Sequence, residues 1–168
     1  MNLSDWAFVS FGSNQGDSRK RFAAACGFLQ TLSDFPILKS SLWLSAPIDC
    51  PPGSPDFLNA VVAFKPRSNE TPESLLNRLL VFERKTGRSP SAARHAPRAI
   101  DLDLIAFGSE RRSTAELTLP HPRATQRRFV LEPLAELAPE LILPGESRTV
   151  AQRLSSMDST QTVERIDQ

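Results

Sequence analysis

The order of apolar segments along the chain constrains its fold more than any other feature. Short apolar runs typical of strands alternate with segments of helical spacing, in the order strand, helix, strand, strand, helix, strand and a final helical segment. The strand-type runs lie at residues 6–11, 37–44, 57–64 and 99–107. The first helix is expected to begin with Asp17 or Ser18 as its N-cap, the second to begin at Thr71-Pro72 and continue to about Lys85, and a short third helix to lie at 129–137. This order predicts an α+β protein with a ferredoxin-like βαββαβ core, in which helices pack on the faces of a single four-stranded, mainly antiparallel sheet.

Length and composition exclude several classes of protein. The 168 residues suit one domain, with a core at about 5–144 and a variable, polar tail at 145–168 whose end is expected to be partly frayed. No apolar run approaches the ~20 residues of a membrane span, and the N-terminus lacks the pattern of a signal peptide. Cys26 and Cys50 fit neither a disulfide scaffold nor a metal site. We therefore expect a protein of the reducing cytoplasm with no membrane partner. A monomer is a separate expectation, which these features do not decide.

The charge is small overall but unevenly distributed. The net charge of +1 argues against nucleic acid as a partner, yet residues 84–128 hold ten Lys and Arg against four Asp and Glu. Nine of these ten cations are arginines, whose planar donor groups suit phosphate oxygens. The segment therefore indicates a site for a small anion, with a solvated surface of no special function as the alternative.

Asp101-Leu102-Asp103-Leu104 is the sharpest local motif. On a strand, both carboxylates project from one face and both leucines from the other. Mg²⁺ is typically held by one or two carboxylates together with substrate phosphates, and arginines at 88, 94 and 98 precede the motif. The pattern favours a phosphoryl-transfer site, while a half-solvated strand with Arg–Asp ion pairs stays open as an alternative.

Two further patterns suit small-molecule binding. Phe57 and Asn59 are two residues apart on a predicted strand after a proline-rich loop at 46–55, so a flat heterocycle could stack on the ring while the amide binds its edge. The alternative places Phe57 in the core and makes Asn59 a cap for backbone groups. His121 stands between two prolines close to Arg123, Arg127 and Arg128, where it could donate to a phosphate oxygen.

Four segments in this order resemble the 6-hydroxymethyl-7,8-dihydropterin pyrophosphokinase family. They are residues 11–14 (FGSN), 55–60 (PDFLNA), 94–105 (RHAPRAIDLDLI) and 119–123 (LPHPR). The resemblance implies an enzyme of folate biosynthesis that transfers the pyrophosphoryl group of ATP to the hydroxymethyl oxygen of 6-hydroxymethyl-7,8-dihydropterin and releases AMP. Its partners are then ATP and the pterin, and its cofactor is Mg²⁺, with two ions expected at Asp101 and Asp103.

The resemblance also implies a role for individual residues. The catalytic residues would be Arg88, Arg98, Asp101 and Asp103. The ATP-binding residues would be Glu83, Arg88, Arg98, His121 and Arg127. The pterin-binding residues would be Ser45, Pro47, Ile48, Phe57, Asn59 and Phe129, with the two rings enclosing the pterin.

The sequence departs from the family pattern in the loop at 88–97, which is expected to be mobile and to close over ATP. His95 stands where a family member has Trp, and Pro90 where it has Arg, so lid closure is the property most affected. Two rival functions stay open: another magnesium-dependent nucleotidyl or phosphoryl transferase, and a non-catalytic nucleotide- or RNA-binding domain. The absence of tyrosine and of an aromatic RNA-binding pattern disfavours the RNA-binding alternative.

Overall fold

A computed structural model of the protein describes residues 3–48, 50–86, 99–157 and 160–166. The helices are α1 (Ser18–Gln30), α2 (Pro72–Lys85), α3 (Arg128–Leu137) and α4 (Val150–Ser155), with a short 3₁₀ helix at Ala124–Gln126. The strands are β1 (Ala7–Ser13), β2 (Leu38–Lys39), β3 (Leu42–Ser45), β4 (Phe57–Phe64), β5 (Asp101–Phe107), β6 (Arg112–Ser113), β7 (Thr118–Leu119) and β8 (Val163–Ile166).

The main sheet is antiparallel and has helices on both faces. Its strands lie in the order β5-β1-β4-β3-β8, with β2 also paired to β4, while β6 and β7 form a separate two-stranded sheet. One face packs against α1 and α2 and the other against α3 and α4, so each face has its own apolar cluster. The predicted α+β arrangement of an antiparallel sheet with helices is confirmed.

The predicted number of four strands is wrong, because the main sheet has six. One extra strand arises because the strand expected at 37–44 is split into β2 and β3. Between them, the Ser40 side-chain oxygen accepts a hydrogen bond from the Val61 backbone N–H at 2.9 Å, and the pairing register with β4 shifts by one residue. The one-residue shift in register is that of a β-bulge, and the Ser40 hydroxyl takes the place of a backbone acceptor there.

The other extra strand comes from the C-terminal tail, part of which is ordered rather than frayed. β8 pairs with β3 along the sheet edge, and α4 packs against α3. The guanidinium of Arg165 lies 3.9 Å from the carboxylate of Glu136 in α3, which also accepts hydrogen bonds from Ser41 and Trp43. The tail is therefore joined to both the sheet and α3.

The two long helices begin where their sequence signals place them. Asp17 caps α1 by accepting from the backbone N–H of Lys20, and Thr71 caps α2 through a reciprocal bond with Ser74. Pro72 occupies the first helical position, where its missing N–H has no cost. Within the described part of the chain, no helix has both the length and the apolar character needed to cross a membrane.

Candidate active site

A cavity of about 600 Å³ opens on the sheet face that also carries α3. This volume lies within the range of small-molecule pockets. Its walls come from β1, β3, β4, β5, the start of α3, the proline-rich loop and the C-terminal segment. The lining residues are Ser10, Phe11, Gly12, Ser45, Ala46, Ile48, Cys50, Phe57, Asn59, Asp101, Asp103, Arg123, Gln126, Arg127, Phe129 and Gln161.

The strand register places the Asp101 and Asp103 carboxylates and the Asn59 amide side by side on the sheet surface that forms the floor of the cavity. Gly12 of β1 lies opposite Asp101 of β5 on one side and Asn59 of β4 on the other. Both aspartates are half-buried at the cavity, while Leu102 and Leu104 between and after them are buried in the core. Because Gly12 has no side chain, the floor between the carboxylate and the amide stays open.

Glu83 in α2 binds the backbone between the two aspartates. It lies in the last turn of α2, is 1% exposed, and its Oε1 accepts a hydrogen bond from the Leu102 backbone N–H at 2.6 Å. Leu102 separates the two aspartates, so the contact fixes the backbone between them. Glu83 does not line the cavity. The predicted contact between Glu83 and ATP therefore stays a prediction. What the structure shows for Glu83 is the buried hydrogen bond with the Leu102 backbone.

The start of α3 joins the charged and aromatic parts of the cavity. Nη1 of Arg127 lies 3.9 Å from Oδ2 of Asp103, and its guanidinium stands 5.5 Å from the centre of the Phe129 ring. A guanidinium at this distance over a ring face is held by a cation–π interaction. One side chain thus contacts both the acidic pair and an aromatic wall.

Asn59 is fully enclosed, at 3% exposure. Its amide nitrogen donates to the side-chain oxygen of Ser45 at 2.9 Å and to the backbone carbonyls of Trp43 and Phe57 at 3.2 and 3.1 Å. These acceptors fix the side chain with Oδ1 on the Gly12 side, where a Cβ built on Gly12 would lie 3.9 Å away. Asn59 does cap backbone groups, as the alternative expected, and it also presents an acceptor oxygen toward the cavity.

His121 lies beside the acidic pair but does not line the cavity. Its Nδ1 accepts from the Arg123 backbone N–H at 3.2 Å, which leaves Nε2 to carry the proton of the neutral ring. Burial lowers the pKa of His121; Asp103 and Asp101 raise it, and Arg127 and Arg123 lower it. At neutral pH the side chain is therefore a neutral hydrogen-bond donor.

The cavity brings together eight of the predicted site residues. They are Ser45, Ile48, Phe57, Asn59, Asp101, Asp103, Arg127 and Phe129. Pro47 is half-buried in the loop between two lining residues. Arg88, Arg98, His95 and Pro90, with the loop expected to act as a lid, lie outside the described residues.

Sequence reasoning missed several lining residues. Gln126 and Arg123 lie in the arginine-rich segment, which was recognised as a whole but not resolved into separate roles. Cys50 lies in the proline-rich loop, and no pattern marks it as a pocket residue. Gln161 belongs to the C-terminal tail and has no local signal at all.

An acidic pair, arginines and aromatic walls around one cavity are typical of a transferase that takes a phosphate donor and a flat acceptor. The family model of 7,8-dihydro-6-hydroxymethylpterin-pyrophosphokinase (HPPK) matches residues 8–139. The chain belongs to this family. The family reaction transfers pyrophosphate from ATP to the hydroxymethyl group of 6-hydroxymethyl-7,8-dihydropterin, and the function implied by the resemblance is confirmed.

Individual relatives agree with the family assignment. The chain is 35% identical over 154 residues to the 2-amino-4-hydroxy-6-hydroxymethyldihydropteridine pyrophosphokinase of Synechocystis sp., covering 92% of this chain and 77% of the relative. It is 36% identical over 164 residues to the protein of the same name from Methylorubrum extorquens, covering 96% and 98% of the two chains.

Solved structures support the fold. The crystal structure of an HPPK-DHPS from Plasmodium falciparum superposes with a TM-score of 0.69 at 14% identity and covers 89% of this chain. The chain spans 45% of the length of that protein, so only the shared fold is compared.

Proposed function

We propose that the cavity is the active site for this reaction, with the acceptor on the aromatic side and ATP on the side of the acidic pair. The observation that carries the proposal is that Asp101, Asp103, Arg127, Phe57 and Phe129 all line one cavity. A hydroxymethyl group on a flat ring would then lie between the aromatic walls and the carboxylates.

The acceptor side suits a pterin because it combines two rings with a fixed amide. Phe57 and Phe129 are both half-buried at the cavity and offer faces for stacking. Asn59 Oδ1 is the amide atom that would accept from an N–H on the edge of the heterocycle. Ser45 holds the Asn59 amide in place, and Pro47 and Ile48 form the neighbouring loop.

The donor side suits the phosphates of ATP with a hard divalent cation. Two carboxylates on one strand face fit Mg²⁺, which takes its other ligands from phosphate oxygens and water. Asp101 and Asp103 would hold the cation, with two ions proposed. Bound Mg²⁺ would neutralise phosphate charge and favour the nucleophilic form of the hydroxyl.

The residues of this chain would do the rest by positioning and charge. Arg127 and the neutral His121 Nε2–H are the proposed donors to phosphate oxygens, and Arg88 and Arg98 would add charge at the transferred group. In the step itself, the hydroxymethyl oxygen bonds to the β-phosphorus, the bond from that phosphorus to the αβ-bridging oxygen breaks, and AMP leaves. The hydroxyl proton passes to solvent.

The protein is proposed to act as a monomer in the cytoplasm. Its two free thiols favour a reducing compartment. The decisive experiment incubates the chain with ATP, Mg²⁺ and 6-hydroxymethyl-7,8-dihydropterin, and separates the nucleotides formed. AMP in equal amount to the pterin diphosphate supports the proposal. ADP would indicate an ordinary kinase instead, and nucleotide binding without turnover would indicate a binding domain.

A further inference from the structure

The C-terminal segment contributes one side chain to the cavity, and that side chain is bonded to the start of α3. Oε1 of Gln161 accepts a hydrogen bond from the backbone N–H of Arg128 at 2.9 Å, across 33 residues of sequence. Gln161 is half-buried and lines the cavity together with Arg127 and Phe129.

This bond replaces a cap that the local sequence does not supply. The first N–H groups of a helix have no partner within the helix and need an acceptor from elsewhere. Arg127 occupies the N-cap position of α3, but its side chain has no acceptor atom, and the helix has no side-chain cap and no acidic residue in its first turn. Gln161 therefore satisfies a backbone group that the helix leaves open.

The position of the capped amide connects this bond to the active site. Arg128 stands between Arg127, which contacts Asp103, and Phe129, which forms an aromatic wall. Holding the Arg128 N–H fixes the backbone that carries both neighbours. The segment that supplies Gln161 is itself held, because β8 follows immediately and pairs with β3 along the sheet edge.

We propose that Gln161 is a positioning residue for the acceptor substrate, and that it acts through Phe129. The C-terminal segment is then a part of the active site rather than a variable appendage. The inference rests on the proposed function, because it assigns the pterin to the side of the cavity formed by Phe129.

The test measures the dissociation constant of 6-hydroxymethylpterin in the full chain, with an α,β-methylene analogue of ATP present at a concentration that saturates each variant. Gln161→Ala removes the acceptor; the free energy of one neutral hydrogen bond limits the loss of pterin affinity transmitted through Phe129 to about tenfold, and we expect a loss of about threefold or more. Gln161→Glu keeps an oxygen at the same reach and should restore the affinity to within about twofold. Thr162→Ala, an exposed change in the same segment, is the matched control and should have no effect.

A double-mutant cycle separates positioning from general stability. If Gln161 acts through Phe129, the change Gln161→Ala should have little further effect on pterin affinity in a Phe129→Ala background. Fully additive effects, or unchanged pterin affinity in Gln161→Ala alone, would overturn the inference. A wild-type chain that fails to bind the pterin would overturn the proposed function as well, so the two failures are distinguishable.

Discussion

Replacing Glu83 tests how α2 supports the acidic pair. The Glu83 carboxylate is buried and accepts from the Leu102 backbone N–H, which lies between Asp101 and Asp103. Glu83→Ala leaves that N–H without its partner, at a cost of about 1–3 kcal/mol, and removes a buried methylene worth about 0.8 kcal/mol. We expect the free energy of unfolding to fall by about 2–4 kcal/mol.

Thermal unfolding followed by circular dichroism measures this loss. In a protein of this size, each kcal/mol lowers the melting temperature by roughly 2–4 °C, so Glu83→Ala should melt roughly 5–15 °C below the wild type. Glu83→Gln keeps an oxygen acceptor for the Leu102 N–H and loses the charge assistance of that bond, so its decrease should be clearly smaller. Glu73→Ala is the matched control, because Glu73 lies on the same helix in an exposed ion pair with Arg112.

Kinetics on the same variants distinguish support from direct contact with ATP. If Glu83 holds the strand between the aspartates, Glu83→Ala should lower kcat by roughly ten- to a hundredfold at temperatures where it is folded. If Glu83 instead binds ATP directly, Glu83→Ala and Glu83→Gln should both raise the KM for ATP with little change in melting temperature. A Glu83→Ala variant that melts like Glu73→Ala would refute the reasoning.

Three further predictions concern the cavity and the neighbouring His121. Asp101→Asn and Asp103→Asn should each nearly abolish turnover without unfolding the protein, because they remove a cation ligand and also relieve like-charge repulsion; near wild-type rates at saturating Mg²⁺ would disprove the metal assignment. Phe57→Ala and Phe129→Ala should each weaken pterin affinity about fivefold or more in titrations, since a stacking face contributes on the order of 1 kcal/mol; Phe57→Ala should leave ATP affinity unchanged, whereas Phe129→Ala also removes the ring against which Arg127 packs. Burial lowers the pKa of His121 below 6.5, so the unfolded chain binds the proton more readily and stability should fall as pH decreases from 6.5 through the folded-state pKa. Between pH 7 and pH 5, the melting temperature of His121→Asn should decrease less steeply than that of the wild type. Equal slopes for the two proteins would contradict this account.

The elements with strong local signals were predicted almost to the residue. The third strand was expected at 57–64 and lies there as β4, which is buried along most of its length. The helix with Thr71 as its cap was expected up to about Lys85 and ends there. In both, the apolar period and the end signals agree with the tertiary packing, so local and global preferences select the same structure.

Non-local effects account for the errors. The break between β2 and β3 depends on Ser40 bonding to Val61 across the sheet, and a serine pair in an apolar run gives no sign of this. β8 is short and partly exposed, and its order comes from pairing with β3 rather than from its own composition. The cavity itself could be anticipated from the two motifs on β4 and β5, but the part formed by Gln161 depends on a hydrogen bond between residues 33 apart in sequence.

The chemistry of the cap on α3 has a consequence for the donor substrate. A carboxylate would cap a helix N-terminus at least as well as an amide, because it also complements the helix dipole. At this position, however, a carboxylate would lie at the cavity beside Arg127 and would oppose the binding of phosphate. Gln161 satisfies the backbone N–H without adding a negative charge beside Arg127. We therefore expect Gln161→Glu, which keeps the pterin affinity, to weaken ATP binding several-fold at low ionic strength, with the difference decreasing as salt is added. Isothermal titration with ATP and Mg²⁺ at two salt concentrations measures this, and an ATP affinity that is equal in both proteins at low salt would show that the charge of the cap has no influence on the donor site.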